Sequence, residues 1–266
     1  MNRIDATFAK LRGDGQKGLI AFIVAGDGGL EATKAHVHGL LEGGADIVEL
    51  GVPFSDPIAD GPVNQAAAYR ALDAGVTLEG IFETVRALRQ EVETPILLMG
   101  YMNPFYSYGL EAACQDAVEA GVDGFIIADL PPLEAELITA HAQPTGLATV
   151  FLAAPNSSQR RLEAIAKHST GFVYCLARAG VTGESEALSD DSRELVAKLR
   201  RLTDKPLAVG FGIKSAQQVR QAWEYADAAI VGSALVRIIT EAGSPAEAQN
   251  SLVQFVKKLR TGTEIG

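Results

Sequence analysis

The chain has 266 residues, 47% hydrophobic and 21% charged, an ordinary globular composition with enough length for a sizeable core. Its formal charge of −10 argues against nucleic acid or an anionic membrane as partner, since both need basic surface. It leaves room for a small anion held by backbone N–H groups. Two cysteines, Cys114 in a helical pattern and Cys175 in a strand-like run, do not make a disulfide framework and point to a reducing compartment. The N-terminus lacks a signal-peptide core and no apolar stretch is long enough to span a membrane, so the expected location is the cytoplasm.

In chain order, Ile4, Phe8 and Leu11 mark one face of a short amphipathic helix. Eight short apolar runs bounded by Gly or Pro then read as buried strands: 18–26, 45–51, 95–101, 122–130, 146–154, 171–177, 206–212 and 227–233. Helical patterns fall between them, among others at 30–42, 78–90, 190–201, 215–223 and 246–259, with Ser215 and Gln218 at the spacing of a capping box. Eight strands each followed by a helix in roughly 250 residues describe an α/β fold, a (β/α)8 TIM barrel. It is expected as one domain over residues 1–266 with an extra N-terminal helix. A doubly wound open sheet is the alternative. It would more often carry a Gly-rich phosphate turn after its first strand, and "VAGDGGLEATKA" lacks the G-x-G-x-x-G spacing. Two connections are long, 52–62 after strand two and 178–189 after strand six. Both leave the C-terminal ends of strands, where barrel active sites are built. The second reads as a lid or as surface ornament.

The stretch "DIVELGVPFSDPIADGP" (46–62) raises the first chemical question. Side chains alternate along a strand, so keeping Val48 and Leu50 under the helices turns Glu49 into the barrel mouth. Burial there raises a carboxyl pKa and equips it as a general acid, unless a salt bridge or backbone N–H groups hold it. Asp60 in "IADGP" and Asp56 in "FSDP" read singly as turn formers. Paired across the mouth, Glu49 and Asp60 could do acid–base work. "GFGIKSAQQ" (210–218) and "GSALVR" (232–237) each join a strand to a helix through Gly and Ser, as barrel phosphate sites do, although Ser as a plain N-cap would look the same. No strand core holds the Lys a Schiff-base lyase needs, and the histidines at 36, 38, 141 and 168 fall in helical segments rather than in a ligand cluster. Carboxylate acid–base chemistry on a phosphorylated small molecule remains.

"VELGVPFSDPIADG" (48–61) closely resembles the signature of the tryptophan synthase alpha chain family. The resemblance runs through "AGD", "GYMNPF", "ADLPP", "APN", "GVTG", "GFGI" and "VGSA" over essentially the whole chain. It implies retro-aldol cleavage of indole-3-glycerol phosphate to indole and glyceraldehyde 3-phosphate. It assigns Glu49 to protonation of the third ring carbon and Asp60 to the indole N–H. It places Phe22, Met99, Tyr101, Ile126, Leu152 and Phe211 at the indole pocket, with Tyr174 as the active-site tyrosine. Thr182 matches a lid threonine, and Gly183, Gly212, Ile213, Gly232 and Ser233 match the phosphate site. Pro53, Asp56, Pro57, Asn103, Pro104, Asp129, Pro131 and Pro132 match the face that meets a beta chain. That partner carries pyridoxal phosphate and takes the indole, in an expected alpha2beta2 heterotetramer; no cofactor is expected on this chain. Departures from the family pattern are Val24, Gly28, Asn64, Ala153, Ala154, Ala177 and Ala179, and Asn64 stands where an apolar residue is usual. Rival readings are an indole-glycerol phosphate synthase or sugar-phosphate epimerase, a standalone indole-releasing lyase, and a regulatory subunit with vestigial catalysis.

Overall fold

The computed structural model describes residues 2–177, 190–210 and 212–262. The expected lid 178–189, with Thr182, Gly183 and Ala179, and the pocket residue Phe211 lie outside the described residues. Short Val-, Ile- and Leu-rich runs that are buried on both faces form parallel strands, because only a sheet covered by helices can hide them. The strands are β1 (Gly18–Val24), β2 (Ile47–Gly51), β3 (Ile96–Gly100), β4 (Gly124–Ile127), β5 (Ala148–Val150), β6 (Leu152–Ala153), β7 (Val173–Leu176), β8 (Leu207–Gly210) and β9 (Ala228–Val231). They pair in the order β5-β4-β3-β2-β1-β9-β8-β7-β6, every pair parallel.

The fifth apolar run of the sequence is two strands here. It is interrupted at Phe151, so that β5 bonds to β4 and β6 bonds to β7. That single break carries the sheet round to meet itself, and the Tyr174 N–H bonds to the Phe151 carbonyl across the seam at 3.2 Å. The result is the barrel expected from the sequence.

Twelve helices accompany the strands among the described residues: α1 (Arg3–Gly13), α2 (Leu30–Gly43), α3 (Pro62–Asp73), α4 (Leu78–Leu88), α5 (Met102–Tyr108), α6 (Leu110–Ala120), α7 (Glu136–Thr145), α8 (Gln159–His168), α9 (Asp190–Arg200), α10 (Ala216–Trp223), α11 (Ser233–Glu241) and α12 (Pro245–Thr261). At the start of α10, Ser215 Oγ accepts from the Gln218 N–H at 3.3 Å. In return the Lys214 N–H, one residue ahead of the N-cap, donates to Gln218 Oε1 at 2.9 Å. None of the described helices is long and apolar enough to cross a membrane.

Alternation sorts the side chains into two cores. Leu19, Ala21, Ile23, Val48, Leu50, Leu98 and Val209 face the helices. Ile20, Ile47, Leu97, Ile126, Val150, Tyr174 and Ile230 fill the barrel interior, where Ile4, Phe8 and Leu11 of α1 close its N-terminal end. Phe8 rests on Phe172 with ring centroids 5.9 Å apart. His36 is buried on the packed side of α2, whereas His38 is partly exposed.

Tyr174 fits inside because β8 offers Gly210 beside it. A Cβ at Gly210 would lie 2.6 Å from the Tyr174 hydroxyl and 2.9 Å from Ile230 Cβ. Gly210→Ala is therefore expected to lose about 1–3 kcal/mol of stability by overpacking, read from the denaturant midpoint.

Candidate active site

The strand order sets β4, β3 and β2 side by side, so the loops leaving their C-terminal ends are neighbours. With β1, β6 and β7 they enclose a cavity of about 370 Å³ at the barrel mouth. Phe22, Met99, Tyr101 and Leu152 line it, as the resemblance implies, together with Asp60 and Pro57. Ile126 and Tyr174 sit in the buried cluster against which Met99 and Leu152 pack. The Phe22 ring can cross to the next strand because β2 carries Gly51, where a Cβ would lie 2.7 Å from Phe22 Cζ.

Glu49 points inward, in register with Phe22 on β1 and Leu97 on β3. It is wholly buried, and neither carboxyl oxygen has a hydrogen-bond partner among the described residues. Desolvation of the charged form pushes its pKa up to about 8. Among the described residues no salt bridge or backbone N–H holds it, so the structural explanation the sequence left open finds no support there.

Asp60 occupies the loop above. The Tyr101 hydroxyl donates to its Oδ2 at 2.8 Å and the Asn64 amide to its Oδ1 at 3.4 Å. Burial raises its pKa, and the two donors act against that rise. Tyr101 is itself held: its hydroxyl accepts from the Ala59 N–H at 2.9 Å, and its ring lies 5.3 Å from that of Phe54. Burial and the neighbouring Asp60 charge raise the Tyr101 pKa, so its proton stays in place. Tyr174 is likewise kept protonated by burial and by the nearby Glu49 and Asp60.

On the β9 side, Gly232 is the N-cap of α11 and no side chain caps the helix, so its leading N–H groups have no side-chain competitor. A Cβ on Gly232 would meet Phe22 at 3.2 Å, which sets this helix end against the cavity wall. Ser233 is exposed at the same end. Ile213 is buried, and Gly212 is exposed with a φ of 83°.

A strap joins the two halves of the site. Asp27, in the "AGD" turn after β1, is 3% exposed and takes Arg70 of α3 through two bonds of 2.8 Å. Arg70 also donates to Thr240 of α11 at 2.7 Å. The helix that follows Asp60 is thereby fastened to the helix whose start faces the cavity.

Of the residues matched to a partner face, Asp56, Asn103 and Asp129 are exposed, Pro104 and Pro131 are half-buried, and Pro53, Pro57 and Pro132 are buried. Asp129 also accepts from the Met102 N–H at 2.7 Å, so it ties its loop to α5. The same face exposes Ile58, Tyr106, Leu133 and Leu137. Sequence reasoning passed over Phe54, and it noted Asn64 only as a departure. The cue for Phe54 was an aromatic residue inside the acidic loop itself, in "PFSDP".

The chain matches the sequence profile of the family described as "Tryptophan synthase alpha chain" over residues 8–264. It is 46% identical to the tryptophan synthase alpha chain of Solibacter usitatus over 262 residues, 98% of each chain. It is 44% identical to that of Geotalea daltonii over 262 residues, 98% of this chain and 99% of the relative. Among solved structures, tryptophan synthase subunit alpha from Legionella pneumophila superposes with a TM-score of 0.88 at 37% identity, covering 99% of this chain and 100% of that one. A chain of Mycobacterium tuberculosis tryptophan synthase superposes with a TM-score of 0.90 at 35% identity, covering 100% of this chain and 99% of that one. The chain belongs to the tryptophan synthase alpha chain family, lyases that cleave indole-3-glycerol phosphate, carry no cofactor of their own and partner with a beta chain that holds pyridoxal phosphate.

Proposed function

We propose that Glu49 is the proton donor of the alpha reaction and Asp60 its electrostatic partner. The observation that carries this reading is the Glu49 carboxyl, buried without a hydrogen-bond partner and kept largely protonated at neutral pH. A neutral carboxylic acid can protonate the third carbon of the indole ring, which leaves a cation delocalised onto the ring nitrogen. Asp60, ionised and held by Tyr101, accepts the indole N–H and stabilises that charge. The C–C bond then breaks. Its electrons return to the ring, and the adjacent glycerol hydroxyl loses its proton as glyceraldehyde 3-phosphate forms. Glu49, once ionised, is the candidate to take that proton.

Phe22, Met99, Tyr101, Ile126, Leu152, Phe211 and Tyr174 hold the indole in this reading. Gly183, Gly212, Ile213, Gly232 and Ser233 hold the phosphate, and Thr182 reaches Asp60 when residues 178–189 close as a lid. The uncapped N-terminus of α11 beside Phe22 supports the phosphate assignment.

Pro53, Asp56, Pro57, Asn103, Pro104, Asp129, Pro131 and Pro132 form the beta-chain face. The adjacency of the loops after β2, β3 and β4 and the exposed Ile58 and Tyr106 support it. Residues 1–266 work as one barrel domain, since β1 and β9, near the two ends of the chain, pair directly. The working compartment is the cytoplasm, in keeping with two free buried thiols.

The direct test is indole release from indole-3-glycerol phosphate, with and without a beta chain. Release in neither condition would sink the reading, whereas strong release unaffected by the partner would favour a standalone lyase. Glu49→Gln is expected to keep the fold, seen by circular dichroism, and to lower kcat by a factor of at least about 10². The kcat/KM profile of the wild type should be bell-shaped, falling above about pH 8 as Glu49 ionises and falling again at low pH as Asp60 takes up a proton.

Stability should report the same group. The folded pKa of Glu49, about 8, lies above its ordinary 4.5, so the folded state gains a proton between these values and loses relative stability as pH rises. Glu49→Gln should therefore gain stability over the wild type progressively from pH 4.5 to about 8, with a constant difference above. A difference independent of pH in melts across this range would mean that Glu49 is already ionised when buried.

A further inference from the structure

We propose that Asn64 is a positioning residue for Asp60, holding one carboxylate oxygen from the first turn of α3 while Tyr101 holds the other. The proposal rests on the reading of Asp60 given above. Asn64 lines the cavity, and its amide is 3.4 Å from Asp60 Oδ1, opposite the 2.8 Å bond from Tyr101 to Oδ2. Two donors on two oxygens fix the plane of the carboxylate and favour its ionised form. The 3.4 Å separation is long, as catalytic hydrogen bonds often are before substrate tightens them.

A second observation points to a ligand. Asn64 Oδ1 is buried and has no hydrogen-bond partner among the described residues. Exchanging the two ends of the amide would not cure this, because it would set a carbonyl against the Asp60 carboxylate, two acceptors face to face. An asparagine placed for architecture alone would have both ends satisfied within the fold. This one spends its N–H on Asp60 and leaves its carbonyl for a donor that arrives with the substrate, an N–H or a hydroxyl. An acceptor left without a donor inside the fold points to the site rather than to the packing.

The groups around Asp60 decide what its titration reports. Among the described residues these are Tyr101 and Asn64 in direct contact, Glu49 and Tyr174 from the barrel interior, and Arg161 of α8 in the same cavity. Burial favours the protonated form of Asp60, and the Tyr101 and Asn64 donors oppose it. Removing one donor must move Asp60 toward protonation at higher pH, while the Glu49 limb stays where it is.

The test compares the wild type with Asn64→Leu and Asn64→Asp, measuring indole release from indole-3-glycerol phosphate across pH together with thermal melts. Asn64→Leu is expected to lower kcat/KM about three- to tenfold. It should shift only the acid limb to higher pH and leave the melting temperature equal or raised, because an unsatisfied buried acceptor is gone. Asn64→Asp, which sets a second carboxyl against the first, should shift that limb further. An unmoved acid limb in both variants would overturn the proposal, as would a loss of activity that merely tracks a fall in melting temperature. A wild type that releases no indole would instead overturn the reading of the site itself, and this assignment with it.

Discussion

Burying an ionisable carboxyl with nothing to bond to is the constraint on which the site depends. Glu49 stands in the barrel interior, in register with Phe22 and Leu97. A surface position would leave it ionised and useless as an acid near neutral pH. A salt bridge would do the same inside the core. The parallel barrel solves this because each strand is covered on both faces, so an inward side chain near the C-terminal end is dry yet adjacent to the cavity. The cost is an unsatisfied buried polar group, which stability alone would not keep. The same interior keeps Tyr174 protonated. Two groups that would each titrate in water are thus held neutral by one desolvated interior.

Asp60 is treated in the opposite way, and the contrast divides the labour between the acids. It sits on a loop, partly buried, with hydrogen-bond donors on both oxygens. The strand supplies a carboxyl without donors and the loop a carboxylate with them. In the proposed roles, environment alone separates a proton donor from a charge stabiliser, with residue types that are nearly interchangeable in solution. The Tyr101 hydroxyl is what makes this possible on a loop, since it ties both the Ala59 backbone and the Asp60 side chain to the end of β3.

This also explains which parts of the molecule were legible in the sequence. The inward direction of Glu49 followed from a period of two and the apolar neighbours Val48 and Leu50, and the strands followed from their length and bounding residues. The break at Phe151 was not legible, because an uninterrupted apolar run carries no mark of where a barrel must bend to close. The bond from Tyr101 to Asp60 spans 41 positions, and the Arg70 fork onto Asp27 spans 43. Local pattern holds no trace of either. Their residues could be read as a pocket aromatic, a turn aspartate and a surface arginine, and only the arrangement of β1, β2 and β3 brings them together.

The strap from Asp27 through Arg70 to Thr240 matters for the same reason that Glu49 does. In the proposed reading a two-ended substrate is gripped at the indole and at the phosphate, by loops that follow strands on opposite sides of β1. Loops alone would let that span drift, and a misplacement of about 1 Å can cost about 10²-fold in rate. α3 begins two residues after Asp60, and α11 begins at the anion-ready N-terminus. Fastening these helices to each other through a buried aspartate turns two loop-borne grips into one rigid frame. A guanidinium suits that task, because its planar fork takes both Asp27 oxygens and still has a donor for Thr240. In that reading the frame fixes the distance between the two grips, above an acid that burial keeps uncharged.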